Sequence, residues 1–218
     1  MRVVNLLINS FPQILLPGLA VTIPLSLISF AIGLFFALVS AVARTAGIPV
    51  LKEVSRFYVW VLRGTPLLVQ IFIIFYGLPA IGITLDPLPA AVIAFSLNVG
   101  AYASETLRAS ILAVPKGQTE AGYCVGMTYA QAMRRIILPQ ALRIAIPPLS
   151  NSFIGLVKDT SLAANITVTE MFMATQRIAA KTYEPMVMYC EVAVIYLIFC
   201  TFLTKLQKEL EKKLSSFS

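Results

Sequence analysis

Apolar residues run through this chain in long blocks, separated by short segments that are polar and mostly basic. Five blocks approach or exceed the roughly 20 residues a helix needs to cross a bilayer. They lie at about 19–43, 56–76, 90–112, 143–166 and 186–204. The pattern predicts an all-α integral membrane protein, one domain over 1–218, with five transmembrane helices packed in a core at 17–204. Residues 1–16 hold one Arg before a moderate apolar run. No small-residue cleavage site follows them, so they read as an interfacial helix leading into the first span rather than as a signal peptide. The second block is the least regular. It is read as one helix kinked near Pro66, which cannot donate a backbone hydrogen bond; the alternative puts 54–62 in the interface and starts the span at Pro66. The third block is rich in small residues. Gly100 and Ser104, four apart, allow another helix to approach closely. The fourth is interrupted by Pro147-Pro148 and by a polar run at 158–161. Residues 167–184 are polar with helical promise, and 205–218 form a charged helical tail.

Between the third and fourth blocks lies KGQTEAGYCVGMTYAQAMRRIILPQ, residues 116–140, too polar and too basic to cross lipid. It reads as two short helices. The first covers about 118–125 and is broken or bent at Gly126, because glycine is a poor helix former. Thr128 can cap the second through its hydroxyl. Pro139 is expected to end that helix or kink its passage into the next span. A compact helical hairpin outside the lipid is a good docking surface for a soluble partner.

Composition narrows the function classes. Of the 218 residues, 58% are hydrophobic and 12% charged, about half the charge of a soluble domain. The net charge of +7 does not indicate nucleic acid, because the cations sort by loop. Arg44, Lys52, Arg56 and Arg63 fall in the first loop, Arg108, Lys116, Arg134, Arg135 and Arg143 in and around the third, and Lys205, Lys208, Lys212 and Lys213 in the tail. The opposite side holds only Arg2, Arg177 and Lys181. The positive-inside rule then puts the amino end outside and both the 116–140 loop and the carboxyl end in the cytoplasm. The chain has no histidine, so the usual general base and the commonest zinc ligand are missing. Its three cysteines, Cys124, Cys190 and Cys200, have neither metal nor redox spacing, and no disulfide is expected. A G-x-x-x-x-G-K phosphate loop is absent too. No catalytic site, metal or cofactor is expected in this chain, and any ATP and Mg would belong to another subunit.

Charged groups inside a span are costly and therefore face a cavity or a partner. Lys158, Asp159, Thr160 and Ser161 are the main candidates for a substrate path. On a regular helix Lys158 and Asp159 point about 100° apart, which leaves Asp159 for an ammonium group and Lys158 for a carboxylate. The rival placement solvates this run near a membrane interface. Asn98 either lines the same cavity or makes an interhelical hydrogen bond. Tyr76 is an interfacial anchor or a cavity wall. Glu105 and Arg108, three apart on a helix, form a structural or gating ion pair.

Glu120-Ala121-Gly122, then Gly126, then Ile136, Leu138 and Pro139 match the spacing of the EAA loop of ABC-importer permeases. One position departs, with Gly122 where the family usually has Ala. RGTPLLVQ, SLNVGAYASETLRASI, KGQTEAG and PPLSNSFIGLVKDTSLA resemble the polar-amino-acid branch of that family over nearly the whole chain from about residue 17. YGLPAIGITLDPLP and KDTSLA are most similar to L-cystine permeases. The resemblance implies a type I importer (MetI-like) permease fold in the bacterial inner membrane, and no bond chemistry in this chain. It also implies a second permease subunit (homo- or heterodimer), an ABC ATPase dimer seated on 116–140, and an extracytoplasmic substrate-binding protein. The implied cargo is a polar amino acid, L-cystine first, with arginine, glutamine or histidine as alternatives, moved by alternating access. A stand-alone secondary transporter would have no use for the EAA-like loop and shows no inverted repeat. An intramembrane protease would need a His or a pair of intramembrane Asp residues, and the chain has neither.

Overall fold

The computed structural model describes residues 2–45 and 49–215, and these are almost entirely helical. Helix α1 (Arg2–Pro17) passes through a π turn at Gly18–Thr22 into α2 (Ile23–Thr45), forming one 44-residue helix. Pro17-Gly18 does not stop it. Pro17 cannot donate to the preceding turn, and the wider π turn, closed by Ile23 N–H on the Gly18 carbonyl, takes up the irregularity. Gly18 also permits contact: a Cβ there would lie 3.0 Å from the Met171 sulfur.

The second block departs from the single kinked helix. Helix α3 (Pro49–Gly64) and the segment Leu67–Ile81, which opens with α4 (Leu67–Phe72), meet at 108°. This geometry fits the alternative in which a new helix starts at Pro66. The cause is local: Pro66 takes an extended ψ of 138° and cannot continue the hydrogen-bond ladder.

Helix α5 (Pro87–Ala113) is the centre of the bundle. It packs along α2, and Leu107 sits with Ala37, Ala41, Ala103 and Ala145 in a small-residue core. The hairpin follows: α6 (Lys116–Cys124), then α7 (Tyr129–Ala132). A π turn at Met133–Ile137 joins α7 to α8 (Leu138–Asp159). Pro139 therefore does not end the helix. It sits in the first turn of α8, just after the π turn, where its missing N–H does little damage. Pro147-Pro148 likewise lie inside α8 without breaking it. The α-helix gives way only at 158–161, where a 3₁₀ turn, Thr160–Ile166, begins.

Helix α9 (Met171–Thr182) realises the helical promise of 167–184. Its cap is a fully buried carboxylate. Glu170 accepts from Phe172 N–H at 2.8 Å and Met173 N–H at 2.6 Å. Burial pushes this carboxyl up to about 6, and the two N–H groups and the Tyr196 hydroxyl hold it from rising further. The last span and the tail form one helix, α10 (Pro185–Ser215).

Among the described residues three helices are long and apolar enough to cross a membrane, and α3 with the segment Leu67–Ile81 is a fourth candidate if the bent pair is one span. Helix α8, at 22 residues, is about 33 Å long. That matches a hydrocarbon core of about 30 Å, although its polar residues lower its hydropathy.

Candidate functional site

The break at Pro66 creates the site. Without an N–H at Pro66, the Leu62 carbonyl loses its helical donor. The Gln70 side chain replaces it: Nε2 donates to the Leu62 carbonyl at 2.8 Å and to the Thr65 carbonyl at 3.1 Å. Asn98 on α5 donates to Gln70 Oε1 at 3.0 Å, so the interhelical hydrogen bond expected as one option for Asn98 is present. Gln70 is buried and holds the bend against α5. RGTPLLVQ carries the family resemblance, but this role of Gln70 does not follow from it. The available signal was a Gln four positions after a proline in an otherwise apolar run. Gln70→Leu should deprive the half-buried Leu62 carbonyl of its donor and the Asn98 amide of its acceptor, at about 0.5–1.5 kcal/mol for each lost hydrogen bond. The purified chain should then melt several degrees lower, and an unchanged melting temperature would remove Gln70 from this role.

Asn98 and Asp159 line one cleft of about 370 Å³, with Thr65 and Tyr102 at the bend and Ser152 and Gly155 on α8. Arg63 lies over the Tyr102 ring at 5.2 Å. Lys158 and Ser161 open elsewhere, onto a groove of about 680 Å³ with Phe172, Tyr189 and Tyr196. Lys158 and Asp159 therefore face different spaces within one subunit, as their neighbouring positions on a helix require. Thr160 lines neither cleft. It is fully buried, and its hydroxyl donates to the Val157 carbonyl, so it packs the start of the 3₁₀ turn. Tyr76 lines neither cleft. Its hydroxyl donates to the Asn165 carbonyl at 3.3 Å, and its ring packs edge-on against Phe72 and Phe75.

The Glu105–Arg108 pair is present at 2.9 Å. It has a third member, Arg44 at the end of α2, which also binds the Glu105 carboxylate. The cluster ties the ends of α2 and α5 together, a link that sequence spacing along one helix cannot reveal.

The 116–140 hairpin is built as its motif residues suggest. Gly126 turns the chain at φ 78°, a conformation glycine adopts without strain. Thr128 caps α7 in a reciprocal box with Gln131. Gly122 is buried, and a Cβ there would lie 3.3 Å from both Ala132 Cβ and Ile136 Cδ1. Ile136 packs against Val114, Ile137 and Ala141, while Leu138 and Pro139 open α8. Glu120 and Ala121 are exposed, next to Tyr123 at 48% and Val125 at 73% exposure. The hairpin thus presents an apolar tip with an acidic flank. Among the described residues no three His, Cys, Asp or Glu side chains gather as metal ligands.

Residues 33–216 match the family described as binding-protein-dependent transport system inner membrane component. The chain is 54% identical over 214 residues to the L-cystine transport system permease protein TcyB of Bacillus subtilis (strain 168), covering 98% of this chain and 92% of TcyB. It is 36% identical over 203 residues to the glutamine transport system permease protein GlnP of Escherichia coli (strain K12), covering 92% and 93%. The crystal structure of an amino acid ABC transporter with histidines superposes with TM-score 0.89 at 34% identity, over 94% of this chain and 96% of that one. An inward-facing structure of the MetNI methionine ABC transporter shares the fold, with TM-score 0.72 at 20% identity over 91% and 93%. The all-helical MetI-like permease architecture expected from the motifs is borne out. This chain belongs to the family of inner-membrane components of binding-protein-dependent transport systems.

Proposed function

We propose that this chain is the membrane-spanning permease subunit of an ATP-driven importer of polar amino acids, with L-cystine as the first candidate cargo. The observation that carries the reading is α8. The docking hairpin leads into its first residue, Leu138, and Asp159, which lines the polar cleft, is its last. One helix of bilayer length therefore joins the surface that meets a motor to the wall of the path. ATP and Mg are held by a separate ABC ATPase dimer seated on the exposed Glu120, Ala121 and Gly126, with Tyr123 and Val125 as the apolar contact and buried Gly122 packing the hairpin behind them. Closure of that dimer moves α8 and alternates access. The bent α3–α4 pair and α8 complete five spans, with the amino end outside and the carboxyl end cytoplasmic. A second permease subunit covers part of α10, whose most apolar window is only 22% buried within the chain. An extracytoplasmic binding protein delivers cargo. The names of TcyB and GlnP support an amino-acid substrate, and the 54% identity to TcyB favours cystine.

Two substitutions test the coupling. Glu120→Lys reverses the exposed charge beside the apolar tip. Gly126→Val forces a β-branched residue to positive φ, which is strained although no atom lies within 4 Å of the added Cβ. In proteoliposomes holding the whole complex, both should insert normally. ATP-driven cystine uptake should fall roughly tenfold or more, a loss of about 1.4 kcal/mol of coupling. Full uptake in both variants would remove the hairpin from coupling. Cystine transport by the purified chain without any ATPase would replace the importer reading with a secondary transporter.

A further inference from the structure

We propose that the cleft where α2, α5 and the hairpin meet binds the phosphodiester headgroup of an anionic membrane lipid. The cleft has a volume of about 360 Å³. Arg44, Arg108, Lys116 and Tyr129 line it together with the apolar Leu112 and Met133. Charge there is unbalanced. Glu105 is the carboxylate that meets Arg44 and Arg108, so one negative charge faces two guanidinium groups. Both are sheltered, with side chains 15% and 33% exposed, where water screens their repulsion poorly. Lys116 adds a third cation and makes no ion pair with the described residues.

Phosphate oxygens suit this arrangement, because guanidinium groups donate to them in pairs and an ammonium adds a point charge. The apolar wall selects a lipid over a free anion. Leu112 is 65% exposed, one residue before the end of α5 at Ala113. The cations therefore cluster at the end of a candidate membrane helix, the level at which headgroups lie, with exposed Leu112 in the same lining to meet an acyl chain. Occupancy would bridge Lys116, the first residue of α6, to Arg44 and Arg108 and hold the hairpin against the ends of α2 and α5. This does not depend on which membrane face the hairpin occupies or on what cargo is carried.

The test is native mass spectrometry of the full-length chain released from nanodiscs holding equal phosphatidylglycerol and phosphatidylcholine. The wild type should retain phosphatidylglycerol preferentially. Lys116→Gln should weaken that retention roughly fivefold, the size expected for one basic residue at an anionic surface, and Lys116→Glu should weaken it further. Lys181→Gln, an exposed cation on α9, should leave it unchanged. Equal retention of the two lipids, or the same preference in Lys116→Gln, overturns the proposal. Displacement of the lipid by millimolar inorganic phosphate assigns the cleft to a soluble phosphate and overturns the lipid source. Loss of the lipid on adding the ATPase subunit makes the cleft a protein contact and overturns it as well.

Discussion

Replacing Gly100 with alanine is expected to destabilise the chain although alanine is the better helix former. The two effects oppose each other. In a helix, Gly→Ala gains up to about 1 kcal/mol from propensity. At Gly100 the added Cβ would lie 2.4 Å from the Tyr58 hydroxyl oxygen, 2.9 Å from Phe36 Cβ and 3.2 Å from the Gly33 carbonyl oxygen. Tyr58 cannot simply swing aside, because its hydroxyl donates to the Leu97 carbonyl at 2.6 Å. Phe36 Cβ and the Gly33 carbonyl move only if α2 moves. Overpacking of this kind costs about 1–3 kcal/mol, so packing wins and Gly100→Ala should melt several degrees lower in detergent. Gly100→Leu should fail to accumulate in the membrane. Gly117→Ala is the control, since no atom lies within 4 Å of its added Cβ and the propensity gain stands alone. If Gly100→Ala melts at or above the wild-type temperature, α2 and α5 do not depend on this contact.

Gly100 also shows how far the sequence could be read. Its spacing to Ser104 announced a close-packed helix face on α5, but the face it meets was not identified. That face is Gly33, Ala37 and Ala41 on α2, spaced by four. Alanines and glycines inside an apolar span look alike whether they face lipid or another helix. The hairpin was legible nearly residue by residue, because glycine turns, hydroxyl caps and acidic flanks are local chemistry. The bend at Pro66 was half legible: proline announces a break, while the 108° angle depends on Gln70 and Asn98, which meet only in three dimensions. The role of Glu170 is not legible, because an acidic residue in a polar connection looks solvated until its buried N-cap position is visible. Adjacency groups Thr160 with Lys158, Asp159 and Ser161, but helix geometry turns it into the core.

Asp159→Asn is expected to impair uptake while leaving the fold intact. The Asp159 side chain is exposed in the cleft it shares with Asn98 and accepts no hydrogen bond from the described residues. Its replacement therefore removes no packing or capping contact, unlike Thr160. What it removes is a negative charge at the end of α8, on the wall of a path proposed for an amino acid. A hydrogen bond to a charged group contributes about 1.5–3 kcal/mol, so the apparent affinity for cystine should fall roughly 10- to 100-fold. The measurement is the concentration dependence of labelled cystine uptake in proteoliposomes carrying the complete system. Asp159→Asn should raise the half-saturating concentration, and copurification of the ATPase should be unchanged, since the hairpin lies at the other end of α8. Lys158→Gln should have a smaller effect on the same curve, because Lys158 opens onto the groove beside Tyr189 and Tyr196. Unaltered uptake by Asp159→Asn at every concentration would mean that cargo does not meet this carboxylate. An effect of Lys158→Gln exceeding that of Asp159→Asn would move the path from the Asn98 cleft to the aromatic groove.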